Sequence, residues 1–274
     1  MVGDLLESPV WDDRRGALWY VDIPTGRVLM WTPLSGAIRT WSFGAPLGSL
    51  ALCDDGTLVL AGESSLRHWD PDTDTLRVIA RVTHAAPGDR MNDSGCDPQG
   101  RLWTGSISAS RTPTATLYRL DEQGLVPVLT GVTNSNGLDW SEDGRLMYYV
   151  DTATRRIDVF DFEATTGAIT HRRPFVAIDP ADGKPDGLTV DAEGHLWVAL
   201  WGGGCVHRYA PDGSRDRVLP VPVPNPTSVA FGGPDLEDLY VTAAASHVWH
   251  FTPGVRGRVP RRIRGCVVSS LASL

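Results

Sequence analysis

The sequence has little of what marks a membrane or nucleic-acid-binding protein. No apolar run among its 274 residues approaches the roughly 20 residues needed to cross a bilayer. A signal-peptide pattern is also missing, because Glu7, Asp12 and Asp13 follow the start almost at once. Acidic residues outnumber basic ones by 33 to 25, and the formal charge of −8 gives no general attraction to nucleic acid or anionic lipid. These absences predict a cytoplasmic protein with no nucleic-acid or membrane partner.

Familiar ligand and catalytic motifs are also absent. The four cysteines form no CxxC pair, and their scatter predicts buried free thiols. The seven histidines show no metal-ligand spacing, and neither a nucleophile elbow nor a phosphate-binding glycine loop occurs. One basic run near the C-terminus contrasts with the acidic whole. A solvated tail is our preferred interpretation of this run and phosphate contact the alternative; its members are Arg256, Arg258, Arg261, Arg262 and Arg264.

The sequence does have an internal repeat of strand patterns. Its markers, at intervals of 40, 44, 44, 50 and 43 residues, are Leu18, Leu58, Leu102, Leu146, Leu196 and Leu239. An apolar stretch ending in an acidic turn precedes each marker, and an alternating apolar–polar stretch follows it. A repeat of this length fits four strands with their turns. The pattern predicts an all-β, six-bladed β-propeller with four antiparallel strands per blade over residues 1–257, followed by a tail over residues 258–274. A long β-sandwich is the alternative.

One position in the repeat collects oxygen-bearing side chains. Ten or eleven residues before four of the marker leucines lie Glu7, Asn92, Asn136 and Asp186. Radial repetition brings equivalent positions together at one mouth of a propeller's central channel. Two carboxylates facing each other there would repel, and a bound cation removes that cost. An all-oxygen set favours Ca²⁺, Mg²⁺ or Mn²⁺ over Zn²⁺. Strand capping or binding of channel water is the alternative role for each residue alone.

The loop over residues 83–93 enters the third innermost strand and carries Arg90 next to Asn92. An arginine at such a mouth suits the hydroxyl or carboxyl groups of a small polar ligand. The alternative is a salt bridge from Arg90 to Asp89 or Asp93. Loops at the same mouth carry further residues whose role we take as structural, namely Glu63, Arg111, Asp151 and Trp201.

At these residues the chain resembles the family of gluconolactonases, regucalcin (senescence marker protein) and luciferin-regenerating enzyme. The resemblance covers roughly residues 5 to 257. The matching segments begin at Leu6 (LESPVWD), Arg90 (RMNDSGCDPQGR), Ser135 (SNGLDWSEDG), Pro185 (PDGLTVDAEGHLWVA) and Pro226 (PTSVAFGG).

The resemblance implies a six-bladed propeller with one divalent metal, Ca²⁺ in the first place and Zn²⁺, Mg²⁺ or Mn²⁺ as alternatives. It implies metal ligation by Glu7, Asn136 and Asp186, and substrate contact by Arg90 and Asn92. Asp186 would also be the general base, and the activity would be hydrolysis of sugar lactones.

Two features depart from the family pattern. Some relatives carry a glutamate in the loop after the third marker strand, where this chain reads ASRTPTA over residues 109–115 and leaves the exact sugar open. The tail after residue 257 does not resemble the family ending. The sequence therefore predicts a metal-dependent sugar lactone hydrolase, a monomer or small homo-oligomer, with Asp186 as the base and Asp93 in reserve. The alternatives are a non-enzymatic calcium-binding regulatory protein of regucalcin type and an interaction propeller.

Overall fold

Strands make up nearly all of the regular structure in the computed structural model, which describes residues 2–44, 46–121 and 124–265. Four sheets have four antiparallel strands each. They comprise β5 (Leu47–Leu52), β6 (Leu58–Gly62), β7 (Ser65–Asp70) and β8 (Thr75–Arg81); β9 (Arg90–Cys96), β10 (Leu102–Ile107), β11 (Ala115–Asp121) and β12 (Gly124–Val132); β13 (Ser135–Trp140), β14 (Leu146–Asp151), β15 (Arg156–Glu163) and β16 (Ala168–Ala177); and β17 (Lys184–Val190), β18 (Leu196–Trp201), β19 (Cys205–Tyr209) and β20 (Arg215–Pro220).

A fifth sheet of seven strands joins the two ends of the repeat. It contains β1 (Gly3–Asp12), β2 (Ala17–Asp22), β3 (Arg27–Thr32) and β4 (Ala37–Ser42), together with β21 (Pro226–Gly232), β22 (Asp238–Ser246) and β23 (Trp249–Phe251). The long strand β1 pairs with β2 through most of its length and with β22 through Gly3 and Leu5. Because β1 has two partners, the first and last repeats form one continuous sheet.

Three short 3₁₀ turns complete the described elements: η1 (Ile23–Thr25), η2 (Thr152–Thr154) and η3 (Pro180–Asp182). Within the described ranges, no helix has both the length and the apolarity that a bilayer span requires. Because the described elements are strands and three short 3₁₀ turns, the all-β expectation is confirmed.

The first strands of the repeats surround a common axis. Each of them contacts the next in a closed ring, in the order β1, β5, β9, β13, β17, β21 and back to β1. Their backbones approach so closely that a Cβ on Gly137 would lie 2.4 Å from the backbone nitrogen of Leu188. Glycine is therefore required at that point of β13, because any side chain would push the neighbouring first strand away.

The acidic turn of the repeat forms a specific contact with the next strand. In the third repeat, Asp97 accepts hydrogen bonds from the Arg101 backbone N–H at 3.0 Å and from the Trp103 indole Nε1 at 3.0 Å. In the fifth repeat, Asp191 accepts a bond from Trp197 Nε1 at 2.9 Å. Both indoles are fully buried between neighbouring sheets, so each carboxylate satisfies a donor that would otherwise lose its hydrogen bond on burial.

The segment Arg256–Arg264, here called the C-terminal strap, packs across the far ends of the first strands. The Ala192 backbone N–H donates to Arg256 O at 2.9 Å, and Ile263 N–H donates to Leu52 O at 2.8 Å. Arg258 donates to the carbonyl oxygens of Val190 and Trp140. The expectation of a solvated basic tail is wrong for Arg258, Arg261 and Arg262, because carboxylates and carbonyl oxygens of other segments bind them. Arg256 and Arg264 are exposed, as expected.

The expectation of four free thiols is also wrong in part. Cys96 and Cys205 are free, but Cys53 is disulfide-bonded. Cys266 lies outside the described residues.

Candidate functional site

The four side chains predicted from the repeat lie at equivalent places on four first strands, β1, β9, β13 and β17. All four are buried, and their exposed fractions are 5% for Glu7, 5% for Asn92, 3% for Asn136 and 6% for Asp186. Each of these four strands has a register shift against its partner at this place. The shifts lie between Glu7 and Val10, between Met91 and Ser94, between Ser135 and Leu138, and between Pro185 and Leu188. A bulge re-aims side chains that a regular pleat would alternate. The repeated irregularity thus coincides with the predicted site.

Three carboxyl groups share this buried region. Burial and the nearby Asp186 and Asp93 carboxylates raise the pKa of Glu7 well above its usual range. Burial and Asp93 do the same to the pKa of Asp186, although the Gly187 N–H and Arg90 oppose the shift. Burial raises the pKa of Asp93 to about 7 against the pull of Arg90. If ionised, three carboxylates facing one guanidinium leave two negative charges uncompensated.

This donor set fits a divalent cation. Carboxylate oxygens and the amide oxygen of Asn136 are the ligands that hard cations prefer, and two uncompensated charges match a cation of charge two. A cation would also restore the ionised form of groups whose pKa burial has raised. Glu7, Asn136 and Asp186 could hold such an ion, and Asp93 is close enough to influence it electrostatically.

Arg90 points its guanidinium at the amide side chain of Asn92. Nη1 donates to Asn92 Oδ1 at 2.6 Å and to Met91 O at 2.9 Å. The alternative of a salt bridge from Arg90 to Asp89 or Asp93 is not realised, because neither carboxylate lies within 4.0 Å of the guanidinium nitrogens. The carboxylate of Asp89 instead accepts bonds from the backbone N–H of Ala86 at 3.1 Å and of Ala109 at 2.8 Å. Asp89 therefore connects two loops that flank Arg90.

Thr152, the first residue of η2, also belongs to the site, although the sequence did not predict it. The amide Nδ2 of Asn92 donates to Asn136 Oδ1 at 2.7 Å, and Asn136 Nδ2 donates to Thr152 Oγ1 at 2.6 Å. The Thr152 hydroxyl then donates to Pro185 O at 2.8 Å. The only available signal was its place directly after β14, in a loop at the same mouth as the predicted site.

Among the flanking residues, Asp151 has a structural role. Asp151 is buried and accepts bonds from the backbone N–H of Thr133 and Asn134, so it shapes the turn after β12. Arg111 is exposed in a left-handed conformation with φ of 59°.

Two other clusters of potential metal ligands lie away from this site in the described part of the chain. They are Cys53, Asp55 and His68, and Asp191, Glu193 and His195. Cys53 is disulfide-bonded, and Asp191 already binds the Arg208 guanidinium at 2.7 Å. These engagements favour structural roles for both clusters.

A cavity of about 740 Å³ runs along the axis between the first strands. Its lining includes Asp93 and Ser228 near the candidate site and reaches Arg258 and Arg261 of the C-terminal strap. The strap thus forms the wall of the cavity at the end away from the candidate site.

Comparison with known proteins shows the family of this chain. The SMP-30/Gluconolactonase/LRE-like region matches residues 5–245, and the chain belongs to this family. It is 36% identical to regucalcin of Xenopus laevis over 248 residues, covering 87% of this chain and 82% of that one. It is 35% identical to the putative sugar lactone lactonase YvrE of Bacillus subtilis over 245 residues, covering 88% and 84%. Among solved structures, a calcium-binding protein, regucalcin, from Agrobacterium tumefaciens superposes with a TM-score of 0.91 at 28% identity, covering 96% and 95%.

Proposed function

We propose that this protein is a metal-dependent hydrolase of sugar lactones. The observation that carries the proposal is the group of three buried carboxyl groups, from Glu7, Asp93 and Asp186, next to Arg90. Such a concentration of raised carboxyl pKa values is typical of a functional site. The resemblance to a putative sugar lactone lactonase supports the choice of substrate class.

Glu7, Asn136 and Asp186 would hold one divalent cation, with Asn92 next to it. A cation bound there supplies a Lewis acid that polarises the lactone carbonyl and offsets negative charge on its oxygen. Ca²⁺ is our first choice, and Zn²⁺, Mg²⁺ and Mn²⁺ are alternatives because oxygen donors accept all four.

Asp186 is the general base in this proposal. Its carboxylate takes a proton from the attacking water, the water oxygen bonds to the carbonyl carbon, and the ring C–O bond breaks. The same proton then passes to the departing ring oxygen, so the product is an open-chain hydroxy acid. Asp93 is the reserve candidate for this role.

Arg90 and Asn92 would orient the substrate. The guanidinium has five N–H donors, and the two hydrogen bonds described above both come from Nη1. The remaining donors can bind hydroxyl or carboxyl oxygens of the sugar. Because an arginine presents its donors in a plane, it also fixes the orientation of what it binds.

We also infer that the seven-stranded sheet combines the first and sixth blades of a six-bladed propeller. The closed ring of first strands supports this division. The propeller would extend over residues 1–257, with residues 258–274 as an added tail.

The second candidate function is calcium binding without catalysis. It is favoured by the name of the similar solved structure, a calcium-binding protein. The two functions differ in whether lactones are turned over.

A lactone panel with and without chelator separates the two. Glucono-, xylono-, arabinono- and galactonolactone are assayed with a pH indicator, because hydrolysis releases acid. We expect chelator to abolish turnover and one metal to restore it. Asp186→Asn should lose at least 100-fold in kcat, as expected for loss of a general base that contributes about 10²–10⁴-fold. The exposed Asp212→Asn is the matched control and should match the parent. Tight Ca²⁺ binding with no turnover of any lactone would favour the second candidate instead.

A further inference from the structure

We propose that Thr152 is a positioning residue that fixes the orientation of the Asn136 amide, and with it the atom that Asn136 presents to the cation site. The inference rests on the proposed function, because it concerns Asn136 as a metal ligand. It is carried by a continuous chain of hydrogen bonds through Arg90, Asn92, Asn136 and Thr152 to the carbonyl oxygen of Pro185.

The groups at the two ends of this series of hydrogen bonds determine which atom donates and which accepts in each bond. Arg90 can only donate, so the oxygen of Asn92 must face it and the Asn92 nitrogen must face away. A second acceptor confirms this orientation, since Asn92 Nδ2 also lies 2.8 Å from Ser135 O. At the other end, Pro185 O can only accept, so the Thr152 hydroxyl must use its single proton there.

The donors and acceptors in the two middle hydrogen bonds follow from those at the ends. Because the Thr152 proton is committed to Pro185, the Thr152 oxygen can only accept from Asn136, which must turn its nitrogen toward Thr152. The Asn136 oxygen then faces the Asn92 nitrogen and the predicted site. A carbonyl oxygen has two lone-pair directions, so one remains for a cation. The oxygen of Asn92, in contrast, is already bound to Arg90, which suits Asn92 to contacting substrate.

Thr152 also connects two candidate ligands that lie on different first strands. Its oxygen accepts from Asn136 of β13, and its proton binds the carbonyl of the residue directly before Asp186 in β17. The turn that holds Thr152 is itself fixed: Asp151 accepts from the Ala153 N–H, and Arg155 ends the turn with φ of 52°. One hydroxyl on a short, capped turn therefore binds both strands, at Asn136 and at the carbonyl of Pro185.

The inference can be tested with three substitutions in one turn. Thr152→Val keeps the shape but leaves Asn136 Nδ2 facing a methyl group, so the amide loses one of the two hydrogen bonds that fix its orientation and keeps only the bond from Asn92. Thr152→Ser keeps the hydroxyl. Thr154→Val is the matched control, because Thr154 Oγ1 donates only within the turn, to Asp151 O at 2.7 Å. Thr152→Ala replaces the valine variant if that variant does not fold, as judged by thermal unfolding without metal.

Binding of Ca²⁺, Mg²⁺, Mn²⁺ and Zn²⁺, each alone, is measured by calorimetry on the full chain, followed by lactone kinetics. We expect Thr152→Val to lower the affinity for the tightest-bound metal by about 10- to 100-fold, as is typical when the hydrogen-bond partner of a metal ligand is removed. Thr152→Ser and Thr154→Val should remain within about threefold of the parent.

The outcomes distinguish failure of the positioning role from failure of the proposed function. Equal metal affinity in the parent and Thr152→Val would overturn the positioning role while leaving the proposed function intact. So would equal losses in Thr152→Val and Thr152→Ser, because the hydroxyl would then not be the cause. A parent that binds none of the four metals would overturn the proposed function, and the positioning role with it.

Discussion

Arg258 and Asp139 form an ion pair with 2.7 Å between Nη2 and Oδ2, although 119 residues separate them in the chain. Their side chains are only 14% and 17% exposed, and Arg261 adds a second contact to Asp139 at 3.2 Å. Asp139 lies near the end of β13 remote from Asn136, so this pair fastens the C-terminal strap to the opposite end of the channel from the candidate site.

Breaking this pair should destabilise the protein. We expect Arg258→Ala to lower the free energy of unfolding by about 2 kcal/mol, because it leaves a largely buried carboxylate with one cation fewer. The measurement is urea denaturation. Arg256→Ala is the matched control from the same strap: its partner is Glu237, both side chains are at least half exposed, and its loss should cost less than about 1 kcal/mol. Equal losses in the two variants would contradict a special role for the Arg258 pair.

The same pair should weaken in acid. Burial alone would raise the pKa of Asp139, but the Arg258 and Arg261 guanidiniums outweigh it and hold this pKa below its usual range. A carboxyl group whose pKa is lower in the folded state adds stability above its unfolded pKa of about 3.9 and loses it as the pH falls through the folded value. The stability difference between the parent and Arg258→Ala should therefore be largest near neutral pH and shrink below about pH 4. A difference independent of pH would argue against the charge as its cause.

Asp186→Asn should raise the stability of the metal-free protein while lowering its activity. In metal-free protein, the buried Asp186 carboxylate faces Asp93 and Glu7 with only Arg90 in compensation, so a neutral amide relieves repulsion. We expect the metal-free variant to gain about 1 kcal/mol of stability at neutral pH, since a tenfold change in the proton affinity of a carboxyl group corresponds to about 1.4 kcal/mol. It should also lose the thermal stabilisation that added metal gives the parent. Differential scanning calorimetry with and without chelator measures both effects, and a less stable metal-free variant would speak against carboxylate crowding.

Asp89 should affect substrate binding more than chemistry. Its buried carboxylate holds the backbone of Ala86 and Ala109, and therefore both loops beside Arg90. Asp89→Asn places an NH₂ group against one of these N–H donors and loosens that link. On a lactone that the parent hydrolyses, we expect KM to rise about tenfold while kcat changes less than threefold. A matching fall in kcat at constant KM would instead indicate that Asp89 acts on the reacting groups.

The repeat made much of the fold predictable. Marker leucines such as Leu102 and Leu196 lie at the start of the second strands, as their phase indicates, and the acidic turns before them precede these strands. The family resemblance is confirmed. The seven-stranded sheet could not be predicted, because a local pattern does not reveal that β1 has a second partner in β22.

The position of the candidate site was equally accessible from the repeat, because symmetry-related positions meet at an axis wherever they lie in the chain. The directions of the hydrogen bonds within the site could not be predicted. The direction of the bonds between Asn92 and Asn136 depends on Arg90 and on the carbonyl of Pro185, and the part played by Thr152 depends on both. Three arginines of the strap, Arg258, Arg261 and Arg262, have carboxylate partners more than 100 residues away, so their composition alone resembled a solvated tail.

Local spacing in the sequence encodes the strand content, the repeat length and the set of oxygen-bearing residues that share one phase, so these three features were predictable without a structure. The tertiary structure was needed to establish which oxygen or nitrogen of each side chain faces its neighbour, and that arginines of the C-terminal strap line the end of the channel away from the candidate site. These contacts join residues from separate sheets, and their geometry exists only after the ring of first strands has closed.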